Sequence, residues 1–189
     1  ARTQLAGVAA VLPLRQVLVW SRSPERVARF VGEAAARHPR LQIRGTRGPE
    51  EAVRDADVVV AATTAVQPVI QDDWIGPGAT VCSVGSHTPE AAEIAPGIVA
   101  RSARIVVDTR PGSLKGAGDI SRAISAGLCE ESRVSELGEL VLGRAPGRQS
   151  DSEITLFKSV GFAAVDLVAA EMVLAAALAR GLGRDVALH

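Results

Sequence analysis

The chain has 189 residues, of which 21 are lysine or arginine and 21 are aspartate or glutamate, so its formal net charge is zero. Without net charge it lacks the field that gathers nucleic acid or an acidic membrane surface. Hydrophobic residues make up 47% of it, yet each apolar run ends well before the roughly 18 residues of a membrane-spanning helix. Cys82 and Cys129 lack metal-site spacing and are expected to be buried thiols. We therefore expect a cytoplasmic protein with no nucleic-acid or membrane partner, and one domain over residues 1–189.

Short apolar runs alternate with helical patterns along the chain. Residues 1–9 form a helical pattern, and strands are expected at residues 17–20, 41–43, 57–62, 80–84, 105–107 and 154–157. Further helices are expected at residues 24–37, 49–54, 118–126, 134–142 and 160–180. Ser23 and Pro24 suit the cap and the first position of the helix at 24–37. This alternation favours an α/β fold with a doubly wound parallel sheet.

Polar residues follow several expected strands at their carboxyl ends, where parallel sheets bind ligands. They are Thr63, Thr64, Ser86, His87, Lys158 and Ser159. The threonines, His87 and Lys158 have structural alternatives, because threonine often ends a strand, a single histidine is common in loops, and a lysine at a domain edge is often solvated. Asp108 and Asp119 are expected to cap a turn and a helix, and Trp74 to pack under a turn.

Three segments resemble the ornithine cyclodeaminase/mu-crystallin family. They are residues 152–167 (SEITLFKSVGFAAVDL), Ala61-Ala62-Thr63-Thr64-Ala65 and Ser83-Val84-Gly85-Ser86. The resemblance runs from Ala1 to about Gly183 and implies a Rossmann-type NAD(P)-binding domain. Residues 1–5 are similar to the segment after the family's Gly-x-Gly-x-Gln fingerprint, so Ala1 is expected to be the third small residue of that fingerprint and to bind the cofactor.

On this interpretation the first strand, the Gly-rich loop and the family's N-terminal half are absent from the chain. The sheet order 3-2-1-4-5-6 places the first strand between the second and the fourth. The strands at 17–20 and 58–61 are therefore expected to be parallel with a one-strand gap between them. Unpaired backbone groups would be buried in such a gap, so we expect either that a separate chain segment fills it or that this chain does not fold alone.

The resemblance implies that the turn of Ser21, Arg22 and Ser23 meets the adenosine ribose of the cofactor. A carboxylate at this place favours NAD, whereas Arg22 offers a planar fork to a 2′-phosphate and the serines offer hydroxyl groups. NADP(H) is therefore the expected cofactor, with NAD(H) possible. The structural alternative is a solvated arginine beside a helix cap.

Other strand-end residues are implied to bind the cofactor as well. They are Ala62, Thr63, Thr64, Val84, Gly85, Ser86, Lys158, Ser159 and Gly161. A helix that starts at Val160 would present free backbone N–H groups there, and Lys158 would add a cation near the cleft.

His87 stands where ornithine cyclodeaminases carry an aspartate. A histidine can exchange a proton near neutral pH, but it cannot hold an ammonium group as a carboxylate does. The resemblance thus implies an NAD(P)-dependent oxidoreductase that acts at the α-carbon of a small amino or imino acid. Reduction of a ketimine such as a pyrroline carboxylate is favoured, with His87 as the candidate catalytic residue. The alternatives are an ornithine cyclodeaminase and a non-catalytic binder of NADPH and small ligands. A homodimer through the N-terminal half is expected.

Overall fold

The computed structural model describes residues 1–184 and 186. The strands are β1 (Gln16–Val19), β2 (Gln42–Gly45), β3 (Val58–Ala61), β4 (Thr80–Ser83), β5 (Arg104–Val107), β6 (Val134–Glu136) and β7 (Thr155–Lys158). The helices are α1 (Arg2–Val11), α2 (Pro24–Arg37), α3 (Pro49–Val53), α4 (Pro96–Arg101), α5 (Arg110–Gly116), α6 (Gly118–Ser125), α7 (Leu137–Val141) and α8 (Ala163–Ala179).

The strands form two parallel sheets. Five of them pair in the order β3-β4-β7-β5-β6, while β1 pairs with β2 alone. Since β1 and β3 belong to different sheets, the prediction that they are not bonded directly to each other is confirmed. The last strand, β7, lies between β4 and β5. The expected order 3-2-1-4-5-6 has no strand inserted at this place, so the structure departs from the expected order there.

The core surrounds the five-stranded sheet. Ile105, Val106 and Val107 are consecutive residues of β5 and are all buried, so both faces of this strand are covered, as in α/β folds with helices on each side. Val81 of β4 and Leu156 of β7 have no exposed surface. These central strands hold the adjoining loops at their carboxyl ends in fixed positions.

Some element boundaries differ from those expected. Residues 134–142, expected as one helix, divide into β6 and α7, because residues 134–136 pair with the edge of β5 and bury Val134. The short helices α4 and α5 were not expected, although each begins with a proline in its first turn. The cap of α2 is as predicted: the Ser23 hydroxyl accepts the Arg26 N–H at 3.2 Å.

Helix α8 begins at Ala163 rather than at Val160 and has no buried residue, although its sequence is strongly apolar. Val165, Leu167 and Leu178 of this helix are among the exposed large hydrophobic residues. Within the described part of the chain, no helix combines the length and the apolar character that crossing a membrane requires.

Candidate functional site

The pairing of strands β3 and β4 ends at their carboxyl ends, and a buried carboxylate bridges the loops that follow them. Their ladder continues as far as the bond from Val84 N–H to the Ala61 carbonyl, at 2.9 Å. Beyond it, the Thr63 N–H donates to Glu93 Oε1 at 2.5 Å, and the Gly85 N–H donates to Glu93 Oε2 at 2.7 Å. Glu93 has no exposed surface. One side chain therefore accepts from both strand-end loops.

The two loops approach so closely that only glycine fits at position 85. A Cβ atom on Gly85 would lie 2.2 Å from the Thr63 carbonyl oxygen and 2.4 Å from Glu93 Oε1. Neither contact can relax by a small movement, because one atom is backbone and the other accepts the Thr63 N–H on a side chain with no exposed surface. The glycine therefore permits this backbone approach.

A second buried group, the ion pair of Lys158 and Asp119, lies beside Glu93. The Lys158 Nζ is 3.0 Å from Asp119 Oδ2, and neither side chain has exposed surface. The ammonium group also donates to the carbonyl and the hydroxyl of Ser86, both at 2.7 Å. The Ser83 hydroxyl lies 2.9 Å from Glu93 Oε2 and 3.0 Å from Asp119 Oδ2, and so joins the two carboxylates.

This arrangement corrects two expectations. Lys158 is neither a free cation at the cleft nor a solvated edge residue, since its ammonium group is enclosed and paired. Asp119 is not a helix cap: it lies inside the first turn of α6, where its Oδ1 accepts the N–H groups of Glu93 and Ile94 at 2.7 and 3.0 Å. The pair therefore supports the loop that carries Ser86.

The charge state of Asp119 follows from these neighbours. Burial alone raises the pKa of its carboxyl group, but the Lys158 ammonium and the hydrogen bonds from Ser86 and Ile94 bring the pKa below its ordinary value. Asp119 is thus ionised at neutral pH and compensates the buried charge of Lys158.

The loop at residues 159–161 also differs from its expected role. Its N–H groups are not free, because Val160 and Gly161 both donate to Asp108 Oδ2 at 2.8 Å, and the Ser159 hydroxyl donates to the same atom at 3.0 Å. Asp108 Oδ1 accepts the Thr109 N–H at 2.8 Å. Asp108 is therefore structural, as expected, and its carboxylate accepts the backbone N–H groups that were expected to be free for the cofactor.

The remaining strand-end residues are more accessible. His87 is exposed, and its Nδ1 lies 3.2 Å from the Gly85 carbonyl oxygen. Ala62 and Thr64 are exposed, Val84 is half-buried, and the Thr63 hydroxyl accepts the Ala65 N–H at 3.1 Å. These residues leave exposed polar and backbone groups at the ends of β3 and β4.

A pocket of about 610 Å³ lies at the carboxyl ends of β1 and β2. Ser21 and Arg22 line it, as the sequence predicted for a nucleotide, and so does Arg47, which sequence reasoning missed. No acidic residue contributes to its lining. Ser23 is outside it, and its hydroxyl caps α2 and donates to Glu25 at 2.7 Å. Ala1 is exposed and precedes α1.

Sequence reasoning also missed Glu93. A signal was present, because Glu93 stands in the otherwise apolar segment Ala91-Ala92-Glu93-Ile94-Ala95, and a carboxylate inside an apolar segment needs buried partners. Within the described residues, no group of three or more histidine, cysteine or acidic side chains is arranged to hold a metal ion.

Comparison with known proteins relates this geometry to a family. The model of the ornithine cyclodeaminase/mu-crystallin family matches residues 1–181. The Delta(1)-pyrroline-2-carboxylate reductase of Bacillus cereus is 32% identical, over 97% of this chain and 57% of that protein.

Two solved structures show the same fold. The Delta(1)-pyrroline-2-carboxylate reductase of Thermococcus litoralis, in complex with NADH and L-proline, has a TM-score of 0.94 at 35% identity, covering 98% of this chain and 57% of that one. The iminosuccinate reductase of Paracoccus denitrificans, in complex with NAD+, has a TM-score of 0.87 at 30% identity, covering 98% and 56%.

The chain spans a little over half the length of these relatives. Its parallel sheet and its likeness to structures that hold NADH or NAD+ confirm the predicted Rossmann-type fold. Since the family model matches nearly the whole sequence, the chain belongs to the ornithine cyclodeaminase/mu-crystallin family.

Proposed function

We propose that this chain binds a nicotinamide dinucleotide and that the protein reduces a cyclic imino acid of the pyrroline-2-carboxylate type at its α-carbon. One observation carries the proposal: the Thermococcus litoralis reductase, similar over 98% of this chain, holds NADH together with L-proline. L-proline is the amine that results when the imine of pyrroline-2-carboxylate is reduced. The activity belongs to the protein as a whole, since the chain spans 57% of that relative.

The cofactor would lie along the carboxyl ends of the strands, where open parallel sheets bind ligands. The pocket of Ser21, Arg22 and Arg47 would take the adenosine end, and its volume of about 610 Å³ falls within the usual range for ligand sites. The loops at 62–64 and 84–86 would take the nicotinamide end. Lys158 supports the loop at 84–86 from inside, and residues 159–161 bond to Asp108, so the contribution of these residues to binding would be indirect.

We further propose that NADP(H) is preferred, with NAD(H) as the alternative that the solved relatives support. Two arginines and no acidic residue line the pocket at the adenosine end. A guanidinium group forms paired, charge-assisted hydrogen bonds with a phosphate, whereas a carboxylate at this place would repel it.

Reduction adds a hydride from the cofactor to the α-carbon and a proton to the imine nitrogen. His87 is an exposed titratable side chain next to the proposed nicotinamide loop and is our candidate for the proton donor. When its Nδ1 carries a hydrogen and donates to the Gly85 carbonyl, its Nε2 is free to exchange a proton with the substrate.

A turnover assay of the full-length protein separates this proposal from its alternatives. With NADPH and 1-pyrroline-2-carboxylate we expect cofactor oxidation and proline formation, and with L-ornithine little or no proline and ammonia. Robust ammonia release from ornithine would favour a cyclodeaminase. Tight NADPH binding without turnover of any cyclic imine would favour a binding protein of the mu-crystallin type. A homodimer and a cytoplasmic location stay predictions.

A further inference from the structure

We infer that Glu93 is a positioning residue for hydride transfer, which fixes the distance between the two loops at the nicotinamide end without touching cofactor or substrate. The inference rests on the proposed function, because it takes the loops at Thr63 and Gly85 to hold the nicotinamide end. It adds a role for a residue that lies outside the exposed site.

The first argument is the position of the carboxylate. Strands β3 and β4 stop bonding to each other after Val84, although the loops that follow them stay in close contact at Thr63 and Gly85. The next two free N–H groups, at Thr63 and Gly85, meet on the two oxygens of Glu93 at 2.5 and 2.7 Å. The side chain therefore links the two loops at the point where the strands no longer bond to each other directly, and it determines how far apart the loops are.

The second argument is that hydrogen bonds to its backbone and side chain hold Glu93 itself in place. Its own N–H donates to Asp119 Oδ1 at 2.7 Å, and its carbonyl accepts from Val69 and Ile70 at 2.9 and 3.2 Å. The Ser83 hydroxyl lies 2.9 Å from its Oε2. With side chain and backbone both bonded and no exposed surface, the carboxylate has no room to follow a loop that moves.

The third argument is that this place requires a carboxylate of this length. Glutamine has one acceptor oxygen and one NH₂ group, so one of the two backbone N–H groups would face a donor. Aspartate keeps both oxygens but is one methylene shorter, so it cannot reach both N–H groups from the same backbone position. In either variant a loop loses its bond and shifts, and misplacement of reacting groups by about 1 Å can cost about a hundredfold in rate.

The test compares Glu93→Gln with Glu90→Gln in the full-length protein. Glu90 is exposed and lies three residues away. We expect kcat for imine reduction to fall by about tenfold to a hundredfold in Glu93→Gln but not in Glu90→Gln. The affinity for the adenosine half of the cofactor alone, measured with 2′,5′-ADP or AMP, should stay within about twofold, because that half binds at Arg22.

Each outcome decides the matter. If kcat of Glu93→Gln equals that of Glu90→Gln, or if kcat and adenosine binding fall together, the positioning role is wrong. If Glu93→Gln does not fold, Glu93→Asp replaces it under the same criteria. If the unmutated protein turns over no imine, the proposed function fails separately. Glu93 is then tested by whether its variant weakens binding of the whole cofactor relative to the adenosine half, and an unchanged ratio would overturn the inference.

Discussion

The Nζ atom of Lys158 lies 3.0 Å from Oδ2 of Asp119, and both side chains are completely buried. Burying two charges is costly unless they pair and their remaining hydrogen-bonding groups are satisfied. Here the Lys158 ammonium donates to the Ser83 and Ser86 hydroxyls and to the Ser86 carbonyl, and the Ser83 hydroxyl lies within hydrogen-bonding distance of Asp119. The pair joins the end of β7 to the loop after β4, which is the loop that we propose holds the nicotinamide end of the cofactor.

Removing the ammonium group should destabilise the protein strongly. In Lys158→Met, the buried Asp119 carboxylate loses its counter-charge, and breaking a buried pair in this way costs about 3–5 kcal/mol. Lys115→Met is the matched control, since Lys115 is exposed at the end of α5. Urea denaturation of the full-length variants gives the free energies of unfolding. Equal values for the two variants would mean that the buried pair does not stabilise the fold.

The contribution of Asp119 should depend on pH. Its pKa in the folded protein is held below the ordinary value, which is about 3.9. The stabilisation by the ionised carboxyl is therefore fully present above about pH 4 and is lost as the pH falls through the lower folded-state pKa. Asp119→Asn should cost more stability at neutral pH than near pH 3. A difference from the unmutated protein that stays constant or grows on acidification would contradict this.

Arg22→Ala should remove most of the preference for NADPH. The guanidinium group is proposed to bind the 2′-phosphate, so its loss should weaken NADPH binding by about tenfold or more while changing NADH binding little. Arg26→Ala, in the first turn of α2 and outside the lining of the pocket, is the control. The ratio of the two dissociation constants measures the effect. Equal affinities for NADPH and NADH in the unmutated protein would refute the assignment.

His87→Ala should lower kcat more than it changes cofactor affinity. A positioned general acid contributes about 10²–10⁴-fold, so imine reduction should slow by about a hundredfold or more while the dissociation constant of NADPH stays the same. His38→Ala is the control, because His38 caps the far end of α2. If His87→Ala retains the unmutated kcat, the proton comes from another group.

The fold could be predicted to a large extent from local patterns. Apolar strands such as Val58–Ala61 and Thr80–Ser83 follow the expected segments closely, because each is short, apolar and bounded by polar turns. The position of β7 could not be predicted in this way, since strand order depends on which strand edges form hydrogen bonds in the folded protein and not on the local sequence. Residues 134–136 were misassigned for the same reason: their pairing with β5 overrides a local helical pattern.

The accessible half of the site was easier to predict than the buried half. Ser21 and Arg22 line the expected pocket because the end of a strand determines where they lie. The bonds of Glu93 to Thr63 and of Lys158 to Ser86 join residues 30 and 72 positions apart. No local periodicity indicates such partners. An isolated charge within an apolar segment indicates only that some partner is needed.

The most direct test of the central claim follows the hydride itself. The full-length protein is supplied with 1-pyrroline-2-carboxylate and with NADPH carrying deuterium at the transferred position of the nicotinamide ring, prepared as each of the two C4 epimers. Mass spectrometry and NMR then locate the label in the product. We predict that one of the two epimers gives proline with a single deuterium on its α-carbon. Cofactor binding without formation of any proline, or proline that has no deuterium on its α-carbon with both epimers, would contradict the account.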